Sequence, residues 1–325
     1  MTSPPFLSDY LAERRILRRR LSFWRIAAVA ALIGALGVGG YRLAGSGPAA
    51  SFTPHIARLT IAGIITGDRA TLKRIGELET SNAAAVLVAI DSPGGTASGA
   101  ERIHDALRRL AARKPTVAVV GTLAASGGYI VALGADQIVA QGNALLGSIG
   151  VIFQYPNFSK LLETVGVRYE EVKSSPLKAA PNGFEPTSPE ARAAIAMLVE
   201  DSYAWFKSLV KERRGLTDAE LAAVADGRVY TGRQSLDLRL TDRLGGEREA
   251  IAWLERERNV PEGLPVRDWK PRGTLESLGL GSLSSSVLDA LGLDRLARLF
   301  GHGAGLAEAR MLDGLAAIWQ GDGTD

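Results

Sequence analysis

The 325-residue chain contains no cysteine. Structural disulfides, thiolate metal sites and a cysteine nucleophile are therefore excluded, while the redox compartment stays open and an exported location remains allowed. Histidine is scarce: only three occur, His55 ahead of the first strand-like run, His104 in "AERIHDALRR" and His302 in a glycine-rich turn of the tail. None belongs to an H-E-x-x-H zinc motif, and His104 reads as a helix-surface residue. If the chain holds a serine nucleophile, its base is expected to be something other than histidine. No Gly-x4-Gly-Lys-Ser/Thr phosphate loop occurs, no G-x-G-x-x-G opens a helix after a strand, and no fixed-period repeat runs through the chain. No metal and no cofactor are expected.

What is present is ordinary globular material, with 46% hydrophobic and 22% charged residues over a length that suits one large or two modest domains. The net charge of +3 looks like a nucleic-acid hint until it is located. Residues 1 to 45 hold seven arginines against Asp9 and Glu13, a charge of +5 that leaves the remainder at −2. The basicity is local, and no nucleic-acid footprint survives in the main body.

That basic segment precedes a run of sixteen uncharged, mostly apolar residues from Ile26 to Tyr41. As a helix the run spans roughly 24 Å, and Arg25 and Arg42 can snorkel to complete a bilayer of about 30 Å. Trp24 and Tyr41 stand near its ends, where interfacial rings are favoured. A cleaved signal peptide is the rival, but "AGSGPAAS" beyond Arg42 offers no clean A-x-A site. The organisation expected is a cytoplasmic basic N-terminus (1–25), a single transmembrane anchor in contact with lipid (26–44), a linker (45–54), a catalytic domain (55–258), and a tail (259–325) for packing or assembly. The positive-inside rule puts everything after the anchor across the membrane.

From His55 onward strand-like and helix-like runs alternate. "IARLTIAGIIT", a helix near 68–80, "AAVLVAI", a helix near 97–113, "TVAVVG" and a helix from about 126 read as repeated βαβ units on a mostly parallel sheet. "NFSKLLETVG" and "VRYEEVK" give a further helix and strand, and "SPEARAAIAMLVEDSYAWFKSLVKERRG" a long helix opened by Ser188 and Pro189. In the Gly-, Pro- and Ser-rich tail, short helices are expected near 285–300 and 304–319.

Within this pattern Ser126 stands at the end of a β-branched strand with two glycines behind it. Taken locally it is either a helix N-cap with turn glycines or a nucleophile served by close backbone approach and unsatisfied N–H groups. Two further glycine turns follow strands. "DSPGG" (Asp91–Gly95) lies at a carboxyl strand end, where open α/β sheets place ligand sites, and "LLGSIGVI" sets Ser148 between glycines.

Together, "DSPGG", "AASGGYIVALGADQIVA", "GSIGVIFQ", "EVKSSPLKAAPNGFEPTSPEAR" and "ADGRVYTGRQSLDLRLTDRLGG" resemble the signal peptide peptidase A family of membrane-bound serine proteases over roughly residues 55–255. The resemblance implies a fold shared with Clp-type proteases and crotonase-like enzymes, a serine–lysine dyad, and ring-like oligomers with sites built between subunits. Carried over, Ser126 in "ASGGY" is the nucleophile and Lys178 in "SPLKAAP" the general base. Ser148 orients the lysine, and Gly95 and Gly127 supply oxyanion-hole N–H groups. Just before the lysine this chain has Ser175, Pro176 and Leu177, where the family more often has a glycine and an aromatic residue.

The chemistry is coherent on its own terms. A serine hydroxyl needs a base, and a lysine with an ordinary pKa of about 10.4 serves only once a partly apolar site lowers it. Leu177, Ala179 and Ala180 suit such a site, whereas Lys160 and Lys173 lie among polar neighbours. Asp91 is expected to cap its turn and to carry no catalytic proton. The expected function is a membrane-anchored serine endopeptidase on the extracytoplasmic (periplasmic) face of the plasma membrane, acting on apolar peptides such as signal peptide remnants. A crotonase-type hydratase or isomerase acting on acyl-CoA, and a non-catalytic scaffold, are the alternatives.

Overall fold

The computed structural model describes Trp24, residues 53–269 and residues 316–318. The chain separates into two units, one of Pro54–Pro271 with His302–Asp325, the other of Met1–Thr53 with Arg272–Gly301. The elements that follow belong to the first. The expected anchor, 26–44, lies outside the described residues, among which no helix is long and apolar enough to cross a membrane.

Apolar, β-branched runs make the centre of a mixed sheet. Strand β1 (His55–Ile65) pairs parallel with β2 (Ala83–Thr96), and β2 pairs parallel with β3 (Thr116–Ala125). Helix α1 (Arg69–Glu79) links the first two and begins at Asp68, whose carboxylate accepts the Thr71 N–H at 2.8 Å. Helix α2 (Ala97–Ala111) links the next two and begins at Thr96, whose hydroxyl oxygen accepts the Gly99 N–H at 3.1 Å. Caps of this kind contribute about 1 kcal/mol each.

Beyond its midpoint β3 changes neighbours. Val117–Val120 pair with β4 (Gln137–Ala140), whereas Leu123–Ala125 pair with β5 (Leu145–Gly147). Helix α3 (Gly127–Ala132) lies between β3 and β4 in sequence. It is held by the fully buried Tyr129, whose hydroxyl donates to the Leu240 carbonyl at 2.8 Å. Helices α4 (Ser159–Thr164), α5 (Pro189–Arg214) and α6 (Asp218–Val224) follow, then β6 (Val229–Thr231) antiparallel to β5, α7 (Gly232–Asp237), β7 (Arg243–Leu244) beside β4, and α8 (Glu247–Glu257). At the other edge β8 (Val266–Asp268) pairs with β1, and β9 (Ala316–Ile318) runs antiparallel to Gly94–Thr96 of β2.

Both faces of the sheet are covered, which is why its strands lack strict alternation. Val86, Val88 and Ile90 enter the larger core with Leu107, Ile130 and Phe206, while Ala85 and Leu87 enter a smaller one with Trp253 and Leu254 of α8. At about 1.5–3 kcal/mol per fully buried large apolar side chain, these two layers dominate the stabilisation.

The repeated βαβ units and the long helix opened by Ser188 are present as expected. Four readings need correction. "VRYEEVK" forms no strand, and its residues 167–172 are exposed, so it has no buried face to fix a register. Residues 316–318, expected in a helix, are extended because they pair with β2. The folded unit runs past the expected boundary at 258, since Val260 is buried and β8 joins the sheet.

His104 is the fourth: it is buried, next to Ile103 on the inner face of α2, and its Nε2 has no hydrogen-bond partner. Burial, aided by Arg213 of α5 and Arg108, outweighs the contact with Asp105 and holds the imidazole below its ordinary pKa. The unfolded chain then binds a proton that the fold rejects. Stability is full above about pH 6.5 and falls as the pH drops below it. Unfolding temperatures measured between about pH 7.5 and about pH 5 should decline, by up to ~1.4 kcal/mol of stability per pH unit, and His104→Gln should flatten that decline.

Candidate active site

The carboxyl ends of β2, β3 and β5 meet, and the register shows how closely. Ala125 pairs with Gly147, so Ser126 and Ser148 each stand one residue past a paired position on neighbouring strands. The Ser126 N–H donates to the Gly147 carbonyl at 2.8 Å, and the Ser148 N–H donates to the Arg228 carbonyl at 2.8 Å. On the other side Ser92 pairs with Ala124, which brings Gly94 and Gly95 level with the turn at Ser126.

Ser126 is the N-cap of α3 by its backbone alone. Its carbonyl accepts the N–H groups of Tyr129 and Ile130 at 2.9 and 3.0 Å, while its side chain makes no cap hydrogen bond. Its φ of 54° and ψ of −116° lie in a region that L-residues rarely occupy. A cap serine would sit in extended backbone with its oxygen engaged. Here the backbone is turned and the hydroxyl is uncommitted, at a position that is only 1% exposed. Ser148 shares the positive φ, at 51°, and is likewise buried.

The "DSPGG" segment is not a turn that leaves the sheet. β2 continues through it to Thr96, with Gly94 at a φ of 114° and Gly95 pressed against β1. A Cβ on Gly95 would lie 1.9 Å from the Ile65 carbonyl oxygen, and one on Gly128 would lie 2.7 Å from that of Ser92. Glycine is needed at both because backbone approaches backbone. Asp91 is exposed, and the polar side chain that holds this segment is Ser92 instead. The signal for Ser92 lay in its spacing, since a serine hydroxyl bonds readily to the N–H two residues on.

Lys178 is not brought to Ser126 within the chain. It is exposed, no hydrogen bond joins it to Ser126 or Ser148, and its N–H closes a turn on the Ser175 carbonyl at 3.1 Å. The expected burial of its amine is absent from the single chain. The reason is local: between residues 152 and 190 only Gly183 is buried. This segment runs over no core of its own and leaves Leu161, Val165, Val167, Val172 and Leu177 exposed.

Residues 108–261, which include Ser126, Ser148 and Lys178, match Peptidase family S49. A Synechocystis sp. protein named "Putative protease slr0021" is 39% identical over 200 residues, covering 61% of this chain and 72% of that one. An Arabidopsis thaliana protein named "Serine protease SPPA, chloroplastic" is 31% identical over 221 residues, covering 67% of this chain and 32% of that one. Further relatives are matched over only 27% to 56% of their length. Among solved structures, a mutant of the membrane-bound stomatin-specific protease 1510-N aligns with a TM-score of 0.44 at 18% identity, covering 67% of this chain and 99% of that one. The Synechocystis match extends over most of that protein, and the family match falls on the segment where a strained, uncommitted serine ends a buried strand. The chain belongs to peptidase family S49, among the serine proteases.

Proposed function

We propose that the protein is a membrane-anchored serine endopeptidase that uses Ser126 as nucleophile and Lys178 as general base. Its substrates are apolar peptides such as signal peptide remnants. The observation that carries this reading is Ser126 itself, held at a φ of 54° with its hydroxyl engaged in no cap and Ser148 one residue past the adjoining strand pair.

In the reaction the neutral Lys178 amine takes the hydroxyl proton as Ser126 Oγ bonds to the scissile carbonyl carbon. Negative charge moves to the carbonyl oxygen, where the N–H groups of Gly95 and Gly127 stabilise it. The lysine ammonium then gives its proton to the departing amine, leaving an acyl-serine that water hydrolyses by the same base. Ser148 accepts a hydrogen bond from the amine and aims it at Ser126.

For the lysine to act, the 152–190 segment must bring it to a serine. An exposed apolar surface of this extent is what a protein–protein contact uses. The reading is therefore a homo-oligomer in which Lys178 of one copy serves Ser126 of the next, and burial at that contact lowers the amine's pKa. The basic stretch ahead of residues 26–44 supports an anchor with the catalytic unit on the extracytoplasmic side.

The test incubates purified protein with a synthetic signal peptide and maps the products by mass spectrometry. Cleavage within the apolar stretch is expected from the wild type and none from Ser126→Ala. Equal cleavage by both removes the serine mechanism.

A further inference from the structure

Strand β2 outruns its neighbour β3. At Gly94 and Gly95 one side of β2 is taken by Ile64 and Ile65 of β1, while β3 pairs with the other side only as far as Ser92, opposite Ala124. β3 ends at Ala125, and the chain turns at Ser126. From Gly94 to Thr96 that second side of β2 is therefore no longer covered by β3, and it begins beside the turn that carries the nucleophile. Backbone N–H and C=O groups along such an edge are a template for one more strand.

The place is filled from within the chain. β9 runs antiparallel along it, with Ala316 opposite Thr96, Ala317 opposite Gly95 and Ile318 opposite Gly94. Since β1 holds one side of Gly94 and Gly95, β9 lies on the side of β3, and its Ile318 end is the one nearer the Ser126 turn. A peptide bound for hydrolysis would need the same place, because an extended peptide is held by main-chain pairing to a sheet edge and this edge leads past Ser126.

β9 has the marks of an occupant that can be displaced. It makes three residue pairs, and among the described strands β2 is its sole partner. An element held by so few contacts opens at little cost. Its sequence, Ala-Ala-Ile within "GLAAIWQ", is uncharged and apolar, as are the peptides proposed as substrates.

We infer that residues 316–318 are a tethered competitor for the peptide-binding edge at Gly94–Thr96: in the resting chain they close it, and a substrate enters when they leave. This rests on the serine peptidase reading above. Being part of the same chain, β9 meets the edge at an effective concentration on the order of mM. Even a weakly pairing segment then holds the edge in a large share of molecules, and the apparent affinity for an outside peptide falls by the fraction left open.

The experiment compares wild type with the double variant Ala317→Pro/Ile318→Pro in full-length protein. N–H groups of successive residues point to opposite sides of a strand, so two adjacent prolines remove whichever of them β9 donates to β2. The apparent KM for a fluorogenic apolar peptide should fall about 3- to 10-fold in the variant, with kcat within about twofold, as when a competitor is withdrawn. In a Ser126→Ala background the same two substitutions should tighten binding of the uncleaved peptide by the same factor. A synthetic peptide of residues 312–321 should restore the competition in the variant by raising KM alone, and the same peptide carrying both prolines should not.

A KM and a peptide affinity that the prolines leave unchanged or weaken overturn the inference, because a strand that merely completes the sheet would support the site instead of closing it. If the wild type itself hydrolyses no peptide, the serine mechanism fails separately, and binding in the Ser126→Ala background then decides on the tail. Tighter binding with the prolines supports the competitor, and unchanged or weaker binding overturns it.

Discussion

Ser126→Ala and Lys178→Ala are each expected to remove peptide hydrolysis almost completely, by about 10⁴- to 10⁶-fold in kcat, as when a member of an interdependent catalytic set is lost. Stability should hardly respond. Lys178 is exposed in the single chain and bonds no side chain among the described residues, so its loss costs the fold of that chain only the surface range of about ±0.5 kcal/mol. The Ser126 hydroxyl makes no cap hydrogen bond, and alanine keeps the Cβ that the turned backbone already accommodates. Lys178→Arg should fail as fully as alanine, because guanidinium remains protonated and cannot accept the hydroxyl proton. Turnover of a fluorogenic peptide, read alongside unfolding temperature, checks all three. Substantial turnover by purified Lys178→Ala would exclude the dyad.

The second large effect is a recovery. Ser126→Ala and Lys178→Ala chains are each inactive alone, yet a mixed oligomer contains contacts at which the serine comes from one chain and the lysine from its neighbour. For random mixing in a closed ring with heterologous contacts, about a quarter of the sites hold both wild-type groups. Co-expression with two different tags and purification through both should therefore restore roughly that fraction of wild-type activity. The single chain gives the reason to expect it: Ser126 is buried at the end of β3, whereas Lys178 is exposed on a segment that is almost entirely uncovered. Doubly tagged oligomers as inactive as their parents would place both groups of the site within one chain.

The strands and helices of the sheet were readable wherever burial is two-sided and continuous. "AAVLVAI" and "TVAVVG" hold apolar residues on both faces, and the caps at Asp68, Thr96 and Ser188 mark helix starts that the chain uses. Reading weakened where long-range pairing overrides local preference. Pro93 and two glycines signal a turn, yet β1 pairs onward to Gly94 and Gly95 and keeps the segment extended. His104 looked like a surface residue because charged residues surround it in sequence, and only the packing of α2 against α3 decides its burial. Ser126, Ser148 and Gly95 stood out as candidates by their glycine contexts, and the sheet brings the three candidates to one place. Lys178 lay beyond local reading, and Ser92 was open to it only in part. Among the described residues the lysine side chain has no partner to reveal its role, and the hydroxyl bonds both the nearby Gly94 N–H and the Gly63 carbonyl, which lies 29 residues away.

Five non-glycine residues of the described chain have a positive φ, and three of them, Ser126, Ser148 and Ala179, are a site serine, its neighbour and the residue after Lys178. Each such conformation costs about 1–3 kcal/mol and persists only where its surroundings over-determine it. Selection for heat resistance alone would replace all three with glycine, which takes the same backbone at little steric cost. Thermostability and hydrolysis therefore pull against each other at these positions. An engineer who let a stability screen run freely would find the site among the first parts of this fold to be erased.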